Sequence, residues 1–270
     1  MNGSVSSLIV HEGDLIAAGD FTNADGQIRS RIARWDGTEW HALGTGLNDR
    51  VLALSIYNGE LIAGGFFTSA GGRSALHIAR WDGSEWWPLG DGITSTGVGV
   101  RVQSLAVHDG SLVVGGVFSE VAGIETTGLA RWDGTEWHEI GGGTSSAVFA
   151  LTVHNGDLVA GGAFTSAGSV SARRVARWNG SVWQSMGSGL NERVFSLSVH
   201  DGVLIAGGFF TSAIQKWDGS SWLPIGDGMT GGTLPTVNAV VNHGGGLVAG
   251  GRFILADGVE ANNIARWGTP

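Results

Sequence analysis

Five histidines fall at one point of a repeated unit, His11, His108, His154, His200 and His243, and Tyr57 fills the same place in another copy. Neutral imidazole is a common metal ligand, so a ring of such positions invites a metal reading. Each one, however, sits at the hairpin of a separate copy, too far from the next to share one coordination shell. The carboxylates that usually orient ligating imidazoles are not evident beside them. A hairpin-stabilising role, with no metal and no cofactor, is the expectation. A second recurrent group is the cation before a tryptophan: Arg34, Arg80, Arg131, Arg177, Lys216 and Arg266. Sixfold cations could form a ligand ring, but functional sites are grafted on folds and break their symmetry. These side chains are expected to pair with an acid or carbonyl of their own unit and to cover the tryptophan by cation–π contact.

Several chemistries are excluded by missing parts. There is no cysteine, hence no disulfide framework, no thiolate nucleophile and no Cys-ligated metal. No G-x-S-x-G, H-E-x-x-H or phosphate-binding loop occurs. The W-D-G-x-x-W turn is similar to the Asp-box of sialidase propellers but lacks the residue between Asp and Gly. Such an enzyme also needs a tyrosine nucleophile, and the single tyrosine, Tyr57, lies in the repeated hairpin. The formal net charge is −9 with one lysine, Lys216, and arginines spread around the repeats. Binding to nucleic acid requires clustered cations, so neither nucleic acid nor an anionic membrane surface is an expected partner.

The positions that vary between copies are more informative. Asn48-Asp49-Arg50 and Asn191-Glu192-Arg193 are nearly the same phrase, and Arg101 holds the corresponding place in the third copy. The fifth copy replaces a longer loop by Thr211-Ser212-Ala213-Ile214-Gln215, a shortening that either opens a notch in the rim or is a neutral deletion. Loops on a rigid scaffold carry function. Arg50, Arg101, Glu192, Arg193, Thr211 and Gln215 are therefore the candidate ligand-binding residues, and no catalytic residue is assigned.

The scaffold is set by the repeat. V-x-x-L-x-V-H-x-G-x-L-x-x-G-G-x-F, a loop, then I-A-R-W-D-G-x-x-W-x-x-[LIM]-G-x-G begins at Val5, Val51, Val102, Val148, Val194 and Val237. Successive starts are 46, 51, 46, 46 and 43 residues apart, the period of a propeller blade or solenoid coil. In the second copy Val51–Ile56 reads as strand a, Asn58-Gly59 as a tight hairpin and Leu61–Phe67 as strand b. Ile78–Trp81 reads as strand c, Asp82-Gly83 as a turn and Glu85–Leu89 as strand d. No segment carries a 3.6-residue stripe, so no helix is expected. Strand a bears Leu52, Leu54 and Ile56 on one face and Val51, Ala53 and Ser55 on the other. Both faces lack charge and both are expected to be buried, which suits radial blades around an axis. The 48 glycines would suggest low complexity if scattered, but they recur at fixed offsets and mark turns and close approaches instead.

The layout resembles the kelch family of β-propellers, with Gly-Gly closing strand b at 64–65, 115–116, 161–162, 207–208 and 250–251. The first copy departs with Ala18-Gly19. The family's third-strand aromatic is matched by Trp35, Trp81, Trp132, Trp178, Trp217 and Trp267, and its fourth-strand tryptophan by Trp40, Trp86, Trp137, Trp183 and Trp222. The phrase F-T-S-A-G-G…I-A-R-W-D-G is similar to repeats of large bacterial surface or secreted proteins and of the fungal Rax2 type. The resemblance implies one all-β, six-bladed β-propeller of four-stranded antiparallel blades, approximately 1–47, 48–97, 98–144, 145–190, 191–233 and 234–270. It further implies an extracellular or cell-surface setting. The function expected is non-catalytic binding or display of a protein or glycan ligand. A carbohydrate-active enzyme is the alternative, betrayed by two carboxylates about 5–10 Å apart at the channel mouth.

Two expectations concern the ends. Met1-Asn2-Gly3-Ser4-Val5 falls in register with the G-[LM]-N-x-x-V phrase before strand a, as in Gly46–Val51 and Gly189–Val194. Residues 264–270 complete strand c without a second tryptophan. The chain thus reads as a window on a longer array whose last blade lacks its outer strand, with edge-to-edge self-association through blade six. No apolar run approaches the ~20 residues that span a bilayer.

Overall fold

Alternating apolar runs separated by Asn-Gly, Asp-Gly and Gly-Gly pairs fold as the period-2 pattern dictates, into short antiparallel strands. The computed structural model describes residues 1–268. It is all-β, built from repeated four-stranded antiparallel sheets of the β-propeller type. In blade two, strand a is Val51–Tyr57, b Glu60–Gly65, c Ile78–Trp81 and d Trp86–Pro88, hydrogen-bonded in that order. The first, third, fourth and fifth blades repeat it. The sixth has three strands among the described residues, Thr236–His243, Gly246–Arg252 and Ile264–Trp267. The expected ending at Pro270 falls partly on Thr269 and Pro270, which lie outside the described residues. No helix among the described residues is long and apolar enough to cross a membrane. The chain divides into two compact units, Met1–Ile140 and Gly141–Pro270, each with three blades.

Within the first unit, Ile16, Ile32, Leu61, Phe67 and Trp86 form one continuous core across blades one and two. Ile62, Val102, Leu112 and Trp137 continue it into blade three. In the second unit Val159, Val194 and Leu204 join blades four and five, and Ile205, Val237 and Leu247 join five and six. Each strand-d tryptophan packs on a strand-c partner, and Trp86 and Trp137 also lock the seam to the preceding blade. The strand-d ring lies 5.3–5.4 Å from the strand-c tryptophan of its own blade. The Trp86 indole N–H donates to the Leu43 carbonyl of the preceding blade at 3.0 Å, and Trp137 does the same to Leu89 at 3.3 Å.

Three departures from the sequence reading follow from local geometry. Every a–b pair slips register near its start, between Val51 and Ala53 in blade two and at the same point in the other five. This β-bulge lifts Leu52, Gln103, Phe149 and their counterparts out of strict alternation and re-aims their side chains. The b–c loops of five blades contain a two-residue hairpin, such as Ser69–Ala70 with Arg73–Ser74. The uniform two-sided burial of strand a also fails in blade one, where Leu8 and Val10 are 60% and 65% exposed.

Two of the recurrent hairpin histidines, His108 and His200, lie 3.6 Å from Asp109 and Asp201 of their own turns, and other members of the set reach the next blade. Tyr57 Oη donates to the Gly110 carbonyl of the next blade at 3.2 Å, and His154 Nε2 lies 3.0 Å from the Gly202 carbonyl of its next blade. They stitch neighbouring blades, because the hairpin tip projects toward the following one. The cations before tryptophan do pair locally, Arg34 with Asp14, Arg80 with Glu60 and Arg177 with Asp157 of strand b. The expected cation–π cover is not their geometry; the described contacts of that kind belong to Arg50, Arg73 and Arg101.

Candidate functional site

The loops entering strand a and those leaving strand b share one rim in each blade, and a repeated polar latch joins them. Asn48 Oδ1 accepts from the N–H groups of Thr68 and Ser69, both at 2.9 Å, while its amide donates to Thr68 Oγ1 at 3.0 Å. Asn2 holds Thr22 and Asn23 identically. Ser95 and Ser145 make the same double acceptance with a hydroxyl. An Asn or Ser at this point satisfies loop N–H groups that would otherwise lack partners. The rim is thereby fixed from residue types that sequence inspection reads only as loop.

Arg50 and Arg101 come together on this rim, and the group that unites them is Phe66. The Arg50 guanidinium lies 4.3 Å from the Phe66 ring centroid and that of Arg101 5.2 Å. Arg101 is half-buried; its Nε donates to Gln103, the bulge residue, at 2.9 Å and its Nη1 to the Gly99 carbonyl at 2.9 Å. Burial, and then the positive field of Arg50, hold the Arg101 pKa below its ordinary value. Asp49 approaches Arg50 Nε only to 3.9 Å. His77 lies beside the same backbone; its imidazole is kept below its usual pKa chiefly by burial, against the carbonyls of Gly65 and Phe66. Phe66 escaped the sequence reading because it is not a repeat residue. Its counterparts are Asp20, Val117, Ala163, Phe209 and Arg252.

The remaining candidates lie in the second unit. Glu192 and Arg193 are exposed on the loop entering blade five. The short loop places Gln215 Nε2 3.1 Å from the Thr211 carbonyl, and Thr211 Oγ1 accepts from Asn191 at 3.1 Å. Here the latch is reduced to one bond, because the shortened loop lacks the hairpin. Thr236 stands where Arg101 would, so no second arginine joins Arg193.

At the opposite end of the blades are the c–d turns. Asp36 Oδ1 accepts from the N–H groups of Thr38 and Glu39, and Oδ2 meets His41 Nε2 at 2.6 Å. Asp133 with Glu136 and His138 repeats this cluster. These are the two groups of metal-ligating side chains among the described residues. Blade two shows what the histidine does, since Trp87 Nε1 donates to Asp82 in the same way at 2.7 Å. An N–H donor serves as well as an imidazole, so the arrangement is a turn device. The backbone N–H of Glu39, then His41, hold Asp36 far below the carboxylate range; Asp82, Asp133 and Asp218 are lowered chiefly by N–H groups of Glu85, Glu136 and Ser220. A depressed pKa contributes stability above the unfolded value near 4, lost as pH falls through the folded value. The melting temperature is expected to fall below about pH 4. Asn at all four positions, as Asn179 already provides in blade four, should make that decline shallower. An unchanged acid limb would show that the turns do not couple to folding.

A groove of about 350 Å³ between blades four and five is lined by His154, Asp157, Arg177, Trp217 and Asp218. Its equivalent between blades one and two, with His11, Asp14, Arg34 and Trp81, shows it to be a repeat of the seam.

In sequence, residues 108–132 match a β-propeller family described as a domain of unknown function, DUF5122. No curated protein matches. In structure the chain is similar to the computationally designed Ika8 protein, at 17% identity and TM-score 0.56, over 93% of this chain and 69% of that one. It is also similar to the extracellular domain of BT4673 from B. thetaiotaomicron, assigned as a one-component system, at 13% identity and TM-score 0.59. That match covers 92% of this chain and 30% of the other, so the chain spans less than a third of it. At these identities the likeness concerns the fold.

Proposed function

We propose that this chain is a non-catalytic binding or display module of a larger extracellular or cell-surface protein. Its ligand, a protein or a glycan, sits on the rim formed by the d–a and b–c loops. The observation that carries this reading is the convergence of Arg50 and Arg101 on Phe66, above loops fixed by the Asn48 and Ser95 latches. Rigid loops on a repeated scaffold, with side chains that break the repeat, are where such folds recognise partners. The extracellular domain among its structural neighbours agrees with that setting. Self-association belongs to the same reading: among the described residues strand c of blade six, Ile264–Trp267, pairs with Gly246–Arg252 on one side and with no strand on the other, an edge that a second copy can use.

The test is an array of glycans and protein ectodomains probed with the whole chain and with the Arg50→Ala/Arg101→Ala/Arg193→Ala variant. Binding should disappear in the variant while the melting temperature stays within about 2 °C, as surface changes of roughly 0.5 kcal/mol allow. Binding that survives the triple substitution overturns the rim as the site.

A further inference from the structure

Within a chain of net charge −9, Arg31, Arg34, Arg73, Arg80 and Arg177 each pair with an acid from another segment. Among the described residues neither the Arg50 nor the Arg101 guanidinium has a carboxylate within hydrogen-bond distance. Among the described residues the Arg50 guanidinium has no hydrogen bond, and its nearest carboxylate, Asp49, is 3.9 Å away at the Nε edge. Arg101 spends Nε and Nη1 on neutral oxygens, which leaves Nη2 available. Two like charges facing one ring repel, and the half-burial of Arg101 sharpens the cost. Phe66 sets both guanidiniums near its ring, an arrangement that leaves the Arg50 fork and Arg101 Nη2 as donors for a second partner.

We propose that the Arg50–Arg101 pair is a subsite for a single carboxylate group of the ligand. This rests on the rim reading above and names the chemistry of its occupant. A carboxylate takes the fork of a guanidinium through two parallel N–H···O bonds and neutralises the repulsion between the two cations. A monoanion suits the site better than phosphate or a polyanion, because Asp49 and the overall negative field oppose added charge. The pair is peculiar to the first unit. Arg193 reproduces Arg50 in blade five, but Thr236 replaces the second arginine there.

The test uses the whole chain labelled with 15N-arginine, with Nε–H signals assigned through Arg50→Lys and Arg101→Lys. Two probes carry one carboxylate each, methyl glucuronoside for a glycan source and N-acetylglycine for a peptide source. Methyl glucoside and N-acetylglycinamide are their neutral counterparts, and inorganic phosphate is the competing anion. The expected result is a saturable shift of the Arg50 and Arg101 signals with at least one carboxylate probe, absent with both neutral ones. Arg101→Lys, which keeps the charge and loses the guanidinium that Gln103 and Gly99 anchor, should weaken the response at least about tenfold. The stronger carboxylate probe identifies the source. No shift with either carboxylate, equal shifts with the neutral probes, or tighter binding of phosphate overturns the proposal. If the array ligands prove to be neutral yet still depend on Arg50, the rim reading stands and the carboxylate subsite falls.

Discussion

Truncating Trp86 to alanine is expected to be among the most damaging single changes in the chain. Its side chain is wholly buried, packs tilted against Trp81 with ring centroids 5.4 Å apart and donates to the Leu43 carbonyl of the preceding blade. Gly44 and Gly71 approach it so closely that added Cβ atoms would lie 3.7 and 3.0 Å from its atoms. A buried tryptophan removed to alanine costs about 3–5 kcal/mol, a large share of the 5–15 kcal/mol available to a typical domain. Thermal or urea unfolding of Trp86→Ala should therefore show a collapse of stability. Trp87, next in sequence, is the control. It is 36% exposed, lies over Arg73 and donates to Asp82, so Trp87→Ala should cost roughly 1 kcal/mol. Similar losses at both positions would mean that the strand-d tryptophan is not the seam lock. A finer comparison uses Trp222, whose buried indole N–H has no hydrogen bond. Phenylalanine should be tolerated better there than at Trp86, where the change strands a carbonyl.

The period, the hairpin pairs and the Gly-Gly and Trp positions were enough to read the strands and the four-stranded blades. These features repeat, and repetition turns weak local signals into strong ones. What did not repeat was harder to see. Phe66 looks like one more apolar residue closing strand b, and only folding shows that Arg50 and Arg101 both lie over it. The bulge at Leu52 and Gln103 is invisible because alternation holds on either side of it. The b–c hairpins have two residues per strand, too few to show a period. Histidine at the a–b tip was read as local because sequence carries no sign of which blade the tip leans toward.

Substituting alanine into the Gly-Gly pair should separate two constraints that the sequence writes as one motif. The second glycine faces its own blade. A Cβ on Gly65 would stand 2.1 Å from the Arg50 carbonyl oxygen and 2.9 Å from Val51 Cα, and every blade repeats this clash from Gly19 to Gly251. That carbonyl accepts the Phe66 N–H at 2.9 Å, so both contacts are backbone and neither can swing away. Gly65→Ala should cost about 3 kcal/mol or more. It should also shift Arg50 and Phe66, and so weaken rim binding in the fraction that folds. The first glycine faces the next blade. A Cβ on Gly64 would lie 2.5 Å from Val102 Cγ1, on Gly161 2.6 Å from Val194 Cγ1 and on Gly207 2.5 Å from Val237 Cγ1. Those are side-chain contacts that repacking can relieve, and blade one already carries Ala18 there, fully buried in the same core as Val51. Gly64→Ala should therefore cost only about 1 kcal/mol. Gly250 occupies the equivalent place in blade six, where a Cβ would meet nothing within 4 Å and φ is not in the left-handed region. There alanine restricts the unfolded chain without a clash, and Gly250→Ala should be neutral or stabilising by about 0.4–1 kcal/mol. The predicted order of loss is Gly65, then Gly64, then Gly250 with none. Equal losses at Gly64 and Gly250 would show that the facing valine of the next blade does not decide the first position, and a mild Gly65→Ala would remove the backbone argument for the second.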